Sequence, residues 1–579
     1  MDSETKTCQN CKSSFTIEPE DFQFYERVKV PPPTFCPDCR LQRRLAFRNE
    51  RSLYKDTCDL CKKSFVSMYS PDKPFTVYCK ECWYSDNWDP LAYGKEYDWD
   101  KPFFAQFREL MLKVPRIGIM HIHTNVNADY ANYVAEDKNV YLSYSVIFSE
   151  NVYHSRNVDK CKDIFDCLYL KESERSYESV DCSRVYGGKY LLRSRDCVNS
   201  AFLFDCVNCQ NCFMSANLRS KQFVFRNEQL TKEEYGARMK GIGFGKRSEL
   251  TRYKEEFREL IARSLHKFWN LLKVAACTGN NIENARNVRD SFDLYDGENL
   301  RFCLRNIKSK DSYDVSYAAG TELAHECISA GFGNTRTCFI THSDACEDST
   351  YADWCQNCQN IFGCAGLRKK QYCILNKQYS KEQYEEMRMR IIRQTQETLY
   401  ADKKGRTYGY GEFFPTELSP FAYKETMAQE LFPLSRDEAV ARGYLWKDPE
   451  PYPHTPTVQP DELPDRIDDA GESVLKEIIA CPSCGRAYRI MPAEYDFLKH
   501  EGIALPERCV ECRHKVRFAL RNPLKLWHRR CMCDYKIWKN SAKHMHHPED
   551  SCPNEFETSY APERREVVYC EQCYQAEVS

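Results

Sequence analysis

The sequence lacks a strong net charge, a long apolar run and the familiar nucleotide and metalloprotease motifs. Its 83 Lys and Arg nearly balance its 85 Asp and Glu, which argues against a chain that coats nucleic acid over a large surface. No apolar stretch approaches the length of a membrane span, and Met1 to Thr7 is polar and acidic. No GxGxxG, Walker A or HExxH pattern occurs. We therefore expect a cytoplasmic protein without a membrane partner.

Cysteine is missing from three long stretches, 83–160, 213–276 and 374–480, although the 579 residues include 33 cysteines. A chain of this length predicts several domains. In a reducing compartment, clustered cysteines indicate metal ligands or buried thiols rather than disulfides.

The same cysteine pattern occurs at each end of the chain: a CxxC pair, 24 residues, and a second CxxC pair. Two residues between ligands let one tight turn present both thiolates to a tetrahedral zinc ion. Four thiolates leave no coordination position for water, so the zinc is predicted to be structural rather than catalytic. The predicted ligands are Cys8, Cys11, Cys36 and Cys39 in the first copy, and Cys481, Cys484, Cys509 and Cys512 in the second.

A further ligand set follows each copy. The first is Cys58, Cys61, Cys79 and Cys82, and the second is Cys531, Cys533, Cys570 and Cys573. The Cys531 pair is one residue short, so Cys552 or a histidine from 544–547 could replace one of its ligands. The cofactor prediction is three to four structural Zn²⁺ ions.

A basic, helix-like stretch follows the second CxxC pair of each terminal copy. One interpretation is a phosphate-facing surface with Trp527 available for base stacking. The other is that these cations neutralise the doubly negative zinc–tetrathiolate centre and cover a solvated helix. The residues concerned are Arg40, Arg43, Arg44, Arg48, Arg513, Arg517, Arg521, Arg529 and Arg530.

Short β-type dipeptides separated by polar corners predict a β-solenoid in the middle of the chain. Val140-Tyr141, Val152-Tyr153 and Ile164-Phe165 recur every twelve residues, after which the spacing becomes irregular. Asn suits left-handed corners and small thiols suit the interior. A duplication at an offset of 149 indicates two solenoid blocks, 121–229 and 275–378. In the second copy Ile361 replaces the third cysteine of Cys206-x-x-Cys209-x-x-Cys212, which favours packing over metal binding.

Helical patterns precede each block, at 103–110 and 253–261, and are expected to cap the solenoid ends. Thr231 and Ser380 are predicted helix N-caps. The resulting fold class is multidomain and mainly β, with tandem solenoid blocks and helical caps flanked by paired zinc-ribbon or treble-clef-like modules. The predicted segments are zinc ribbon 1–52, zinc module 53–97, capping helix 98–120, solenoid 121–229, helical insert 230–274, solenoid 275–378, helical or irregular segment 379–447, acidic Pro-rich linker 448–478, zinc ribbon 479–523 and zinc module 524–579.

Segments 6–44 and 479–517 resemble zinc-ribbon modules, in which CxxC, a hairpin, an acidic–aromatic element and CxxCR follow one another. Phrases such as Pro102-Phe-Phe-Ala-Gln-Phe-Arg-Glu-Leu and Gly411-Glu-Phe-Phe-Pro are similar to uncharacterised proteins of candidate-phylum bacteria such as the Parcubacteria. The resemblance implies this architecture and zinc binding, but it implies no activity.

We therefore expect a non-enzymatic, zinc-binding interaction scaffold with a protein partner. A nucleic-acid-binding factor using the basic helices is the first alternative. A glycan-active β-solenoid enzyme is the second, because such folds carry catalytic carboxylates along one face. Its candidate residues are His342, Asp344, Glu347 and Asp348, or Arg195, Asp196 and Asp205.

Overall fold

The computed structural model describes residues 2–448, 454–537, 540–547 and 550–578. The chain forms two compact units, each of which joins one solenoid block to the cysteine-rich, zinc-ribbon-like modules from the distant end of the sequence. Unit 1 comprises 1–119, 269–448 and 524–526, and unit 2 comprises 120–268, 449–523 and 527–579. The predicted linear series of modules is therefore folded crosswise: the N-terminal modules pack with the second block and the C-terminal modules with the first.

Both blocks are parallel β-solenoids with a twelve-residue coil. Tyr144 pairs with Asn132 on one side and with Arg156 on the other, and Phe292 pairs with Leu304. Almost every third residue adopts a left-handed conformation, so each coil turns four corners. The predicted β-solenoid is confirmed. The β-type dipeptides lose their twelve-residue spacing in the sequence, but the coil keeps its length in the structure. Tyr186 still pairs with Val198, twelve residues later.

The interior residue directly follows each left-handed corner, so every third side chain enters the core. In block 1 these are small or branched residues such as Val140, Val146 and Val152, which are at most 1% exposed. Block 2 contains one coil of thirteen residues, where His325 pairs with Cys338. This extra residue shifts the interior register by one position for the rest of the block.

Serine and cysteine alternate at equivalent interior corners and bridge successive coils. The Ser155 hydroxyl donates to the Tyr153 carbonyl and accepts from the Cys167 amide. The Cys167 thiol donates in turn to the Phe165 carbonyl and accepts from the Ser179 amide. At the outer corners amides form ladders, as where Asn127 donates to Asn139 and Asn139 to Asn151, each over 2.9 Å. These bonds satisfy polar groups that would otherwise lack partners.

The solenoid strands are short. Those of block 1 are His121–Ile122, Asn132–Ala135, Lys138–Tyr141, Tyr144–Ile147, Glu150–Tyr153, Arg156–Asp159, Lys162–Phe165, Leu168–Lys171, Glu174–Tyr177, Val180–Ser183, Ala201–Phe204, Phe213–Ala216, Val224–Phe225 and Glu228–Gln229. Those of block 2 are Leu271–Arg301, which turns several corners, Leu304–Ile307, Lys310–Ala319, His325–Ile328, Thr335–Thr341, Glu347–Asp353, Gln359–Ala365, Gln371–Ile374 and Lys377–Gln378.

The remaining strands form small two-stranded pairs. In unit 1 they are Glu4–Thr7 with Ser14–Ile17, Tyr54–Thr57 with Ser64–Ser67, Val77–Tyr78 with Arg116–Ile117, and Tyr400–Ala401 with Thr407–Tyr408. In unit 2 they are Ile479–Ala480 with Ala487–Tyr488, Trp527–Arg530 with Glu555–Thr558, and Leu265–Lys267 with Val567–Tyr569.

The α-helices of unit 1 are Pro19–Val28, Pro37–Leu45, Lys80–Tyr84, Phe103–Lys113, Lys381–Glu397, Met427–Leu431 and Arg436–Ala441. Those of unit 2 are Lys232–Met239, Arg247–Arg263, Pro492–Glu501, Val510–Phe518 and Glu571–Val578. Thr231 and Ser380 accept from the amides of Glu234 and Gln383, which confirms both predicted N-caps.

The two predicted capping helices form, but each packs on the block that does not follow it in sequence. In unit 1 the ring of Phe103 lies 5.1 Å from that of Phe362 in block 2. In unit 2 the ring of Phe257 lies 5.5 Å from that of Phe202 in block 1. The amphipathic pattern identified the buried helix face, but it carried no information about which block would cover that face.

The predicted linker 448–478 is only partly within the described residues, since 449–453 lie outside them. Its described part, 454–478, packs against the rest of unit 2 and is not an exposed linker. Leu463, Ile467, Ala470 and Val474 are buried in the core between block 1 and the module that contains Cys481. Across the described ranges, the helices are all too short or too polar to cross a bilayer.

Candidate metal centres

Each terminal zinc-ribbon module places one CxxC pair on a hairpin turn and the other at a helix N-terminus. In the first module, Lys12 adopts φ 64° and its amide donates to the Cys8 carbonyl, which closes the turn that carries Cys8 and Cys11. Cys36 is the N-cap of helix Pro37–Leu45, and Cys39 lies in its first turn. The four thiol sulfurs all lie within 4.8 Å of one another.

The matching module near the C-terminus has the same construction. Gly485 at φ 71° closes the turn that carries Cys481 and Cys484, and Cys509 is the N-cap of helix Val510–Phe518. In the second module of unit 1, Cys79 is the N-cap of helix Lys80–Tyr84 and completes a group with Cys58, Cys61 and Cys82. The three predicted tetrads are therefore each brought together.

The sulfur spacing fits zinc. One sulfur pair in each tetrad, Cys11–Cys36, Cys61–Cys79 and Cys484–Cys509, is 3.6, 3.8 and 3.7 Å apart, respectively. A tetrahedral ion with Zn–S bonds of about 2.3 Å requires about 3.7 Å between sulfurs. A disulfide would bring them to about 2.05 Å. These groups are consequently positioned to hold a metal ion with a donor set suited to zinc.

One thiol of each tetrad ionises more readily than a free cysteine. The hydrogen-bonded Cys36 thiol lowers the pKa of Cys39 to about 5. Burial opposes ionisation of Cys58, but backbone N–H donors outweigh it and lower the pKa of this thiol to about 7. Burial instead raises the pKa of other thiols in the same tetrads, including Cys8 and Cys79.

The fourth site differs from its predicted composition. Cys531, Cys570 and Cys573 form one group with Cys552, whereas Cys533 belongs to a second group that shares only Cys573 with the first. Residues 531–533 follow the strand Trp527–Arg530 and belong to neither a helix nor a strand. With only one residue between them, Cys531 and Cys533 lack the CxxC spacing that lets one tight turn present both sulfurs to one ion. Cys552, which was left open as a replacement, is brought into place by the bond from its amide to the Cys533 carbonyl, over 2.8 Å.

The arginines of the first ribbon helix point into unit 1 rather than to solvent. Arg40 and Arg44 share the carboxylate of Asp314, at 2.9 and 3.0 Å. Arg43 bridges Glu326 and Glu412, at 3.0 and 3.1 Å. The three guanidinium groups and their partners in the solenoid are almost completely buried. Arg48 is also buried and pairs with Glu50 at 2.7 Å.

The corresponding helix of unit 2 docks in the same way. Arg513 and Arg517 share Asp166, at 2.5 and 2.7 Å, and Arg521 pairs with Asp181 at 2.9 Å. Asp166 and Asp314 occupy equivalent corners of the two blocks. From 166 to 314 their offset is 148, one less than the 149 of the duplicated cysteines, because Asp314 precedes the thirteen-residue coil of block 2. The same ionic lock occurs once in each unit.

This geometry corrects the interpretation of the basic stretches. Seven of the nine arginines are buried or nearly so and are paired with carboxylates of their own unit, so they do not form a phosphate-facing surface. They also do not mainly cover a solvated helix. Arg529 is half-buried and donates to the carbonyls of Tyr560 and Ala561. Arg530 is exposed and pairs with Glu555 at 2.6 Å.

The CxxCxxC run of block 1 occupies three successive interior positions. Cys206, Cys209 and Cys212 are at most 1% exposed, and each thiol donates to the carbonyl two residues earlier, over 3.4 Å. Ile361 occupies an equivalent interior position in block 2. The spacing of three thus comes from the solenoid repeat, and it explains why apolar residues replace these cysteines.

Four of the five carboxylates proposed for a glycan-active enzyme pair with arginines. Glu347 and Asp348 are both taken up by Arg336, and Asp196 pairs with Arg184 at 2.5 Å. His342 is buried and stacks on Trp354, with ring centroids 4.5 Å apart. Asp205 accepts from Arg219 at 3.2 Å, whereas Asp344 has one buried carboxylate oxygen without a hydrogen-bond partner, and burial raises its pKa to about 6.

An open concavity of about 950 Å³ lies along one face of block 1. A charge ladder lines it, with Lys138 2.9 Å from Glu150, followed by Lys162 and Glu174 on later coils. Phe148, half-exposed, projects at its edge. None of the predicted catalytic residues lines this concavity.

No protein-family model matches the chain, and no curated protein matches it. Among solved structures, a chain from Desulfovibrio desulfuricans G20, provisionally described as an acetyltransferase, is similar at 9% identity and a TM-score of 0.10. That match covers 41% of this chain and 62% of the solved one. A likeness this weak carries no argument about activity.

Proposed function

We propose that the protein is a non-enzymatic zinc-binding scaffold, in which zinc modules hold solenoid blocks that present a surface to a protein partner. The supporting observation is the ionic lock repeated in both units: the ribbon helices use their arginines on solenoid carboxylates. In this proposal metal binding stabilises the fold of each small module, and the module in turn covers one side of a solenoid block.

The surface most suited to a partner is the open face of block 1. It offers both signs of charge at a regular spacing, together with the exposed ring of Phe148. A protein surface with complementary Lys and Glu rows would match the ladder of Lys138, Glu150, Lys162 and Glu174. A nucleic-acid backbone would meet five carboxylates and only three ammonium groups along this face, so it is disfavoured there.

A comparison of two charge-reversed baits tests the proposal. Full-length protein is used to capture partners from a native lysate, beside the variant K138E/K162E and the matched variant K221E/K240E, which changes exposed lysines elsewhere in unit 2. We expect a partner that cross-links to the open face and is retained by the second variant but lost by the first.

Oligonucleotide binding at low salt provides the opposing test. The scaffold predicts no mobility shift with single-stranded or duplex probes. A shift that is abolished by R530E would instead favour the nucleic-acid-binding alternative, and equal retention of every protein partner by both baits would contradict the assignment of the open face.

A further inference from the structure

A second group of metal-ligand side chains lies beside the C-terminal tetrathiolate group and shares one sulfur with it. Cys533, His544, His547 and Cys573 all lie within 4.8 Å of one another, and all four are buried. The His544 Nδ1 atom is 3.3 Å from the Cys533 sulfur and 3.2 Å from the His547 Nε2 atom. The His547 Nε2 atom is 3.0 Å from the Cys573 sulfur.

We propose that the C-terminal module holds two zinc ions bridged by the thiolate of Cys573. One ion is bound by Cys531, Cys552, Cys570 and Cys573, and the other by Cys533, His544, His547 and Cys573. The inference rests on zinc binding by this module, which is part of the proposed function, and it adds a second, mixed sulfur–nitrogen site that the sequence spacing does not predict.

Both histidines have the second hydrogen-bond partner that is characteristic of a metal-bound imidazole. A metal-bound imidazole characteristically donates its other N–H to a carboxylate or backbone carbonyl, which fixes the tautomer. The His544 Nε2 atom lies 2.9 Å from Glu577, and the His547 Nδ1 atom lies 3.0 Å from the Asp550 carbonyl. In each ring the remaining nitrogen therefore carries a lone pair directed at the sulfur atoms.

Charge supports a second ion. Five cysteines are buried together here: Cys531, Cys533, Cys552, Cys570 and Cys573. If all are thiolates, one zinc ion leaves a net charge of minus three in a buried cluster, whereas two zinc ions leave minus one. Burying uncompensated charge is costly, so the second ion stabilises the arrangement.

The loop between Cys533 and Cys552 also requires an interaction that holds it in place. The described residues from 534 to 551 contain neither a helix nor a strand of two or more residues, yet His544 and His547 are buried. A long segment without secondary structure orders its backbone at an entropic cost that a metal ion can offset. The second ion would tie this loop to Cys573 and to the C-terminal helix through Glu577.

His546 provides a matched control. Its Nε2 atom lies 3.4 Å from both Cys552 and Cys573, but it is not in the four-residue group. We expect five zinc ions per full-length chain by elemental analysis and native mass spectrometry, falling to four in H544A/H547A and staying at five in H546A. Four in the wild type, or an unchanged count in the double variant, would overturn the second site. No metal at all would instead refute the zinc modules of the proposed function.

Cadmium exchange into the wild-type protein keeps the test independent of variant folding. A bridging sulfur couples two ¹¹³Cd nuclei, so two signals from the C-terminal module should split each other. One uncoupled tetrathiolate signal from this module would overturn the shared Cys573.

Discussion

The ionic lock between a ribbon helix and its solenoid should dominate the stability of each unit. In unit 2, Asp166 accepts a hydrogen bond from Arg513 and forms an ion pair with Arg517 in a site with almost no solvent exposure. The change D166A would leave two buried guanidinium groups, one of which keeps Glu494 at 2.7 Å. Breaking a buried pair typically costs about 3–5 kcal/mol, so we expect a loss of that size.

Denaturant unfolding of zinc-loaded protein, monitored by ribbon-specific probes, measures this loss. The matched control is D196A, which breaks the exposed pair with Arg184 and should cost at most about 1 kcal/mol. Equal effects of the two changes would refute the reasoning, because the lock would then contribute no more than a surface pair.

The lock also has a defined pH dependence. Burial opposes ionisation of Asp166, but Arg513 and Arg517 outweigh it and hold its pKa below the usual value. A depressed folded-state pKa means that the contribution is complete above the unfolded pKa of about 4 and is lost as the pH falls below it. The difference in unfolding free energy between wild type and D166A should therefore be constant from pH 6 to 8.

The remaining predictions concern metal, core and acid–base groups. Chelation at neutral pH should unfold the zinc modules while much of the solenoid β signal in circular dichroism persists; a fully resistant spectrum would contradict metal-dependent folding. C209A should cost about 1 kcal/mol without changing the zinc count, whereas loss of an ion would make Cys209 a ligand. Burial raises the pKa of Asp137 to about 7, so its contribution to stability should decline from about pH 4 to 7; D137N should flatten that slope while the exposed control D129N should not.

The zinc tetrads and the solenoid could be predicted from sequence because both follow local rules. A CxxC spacing indicates one tight turn that presents two thiols. Three of the four predicted cysteine tetrads, each built from two CxxC pairs, are assembled as expected. The twelve-residue recurrence near Val140 identified the coil. The underlying three-residue repeat is harder to recognise, because Ser, Cys, Val and Ala all occupy its interior positions. It is clearest in Cys206-x-x-Cys209-x-x-Cys212.

The crosswise assembly could not be read from the sequence. The sequence around Arg40 or Asp314 does not indicate that these two residues, more than 270 positions apart, form an ion pair. A basic helix has the same sequence pattern whether it faces a phosphate or a buried carboxylate. The replacement of Cys533 by Cys552 was foreseeable from the single-residue spacing. The pairing of Cys533 with two histidines depended on the fold of an irregular loop.

Zinc K-edge absorption on freshly purified full-length protein, combined with elemental analysis, tests the central claim most directly. The account predicts at least four zinc ions per chain, with a first shell dominated by sulfur at about 2.3 Å and a minor nitrogen contribution. A chain without zinc, or a first shell dominated by oxygen and nitrogen, would contradict it.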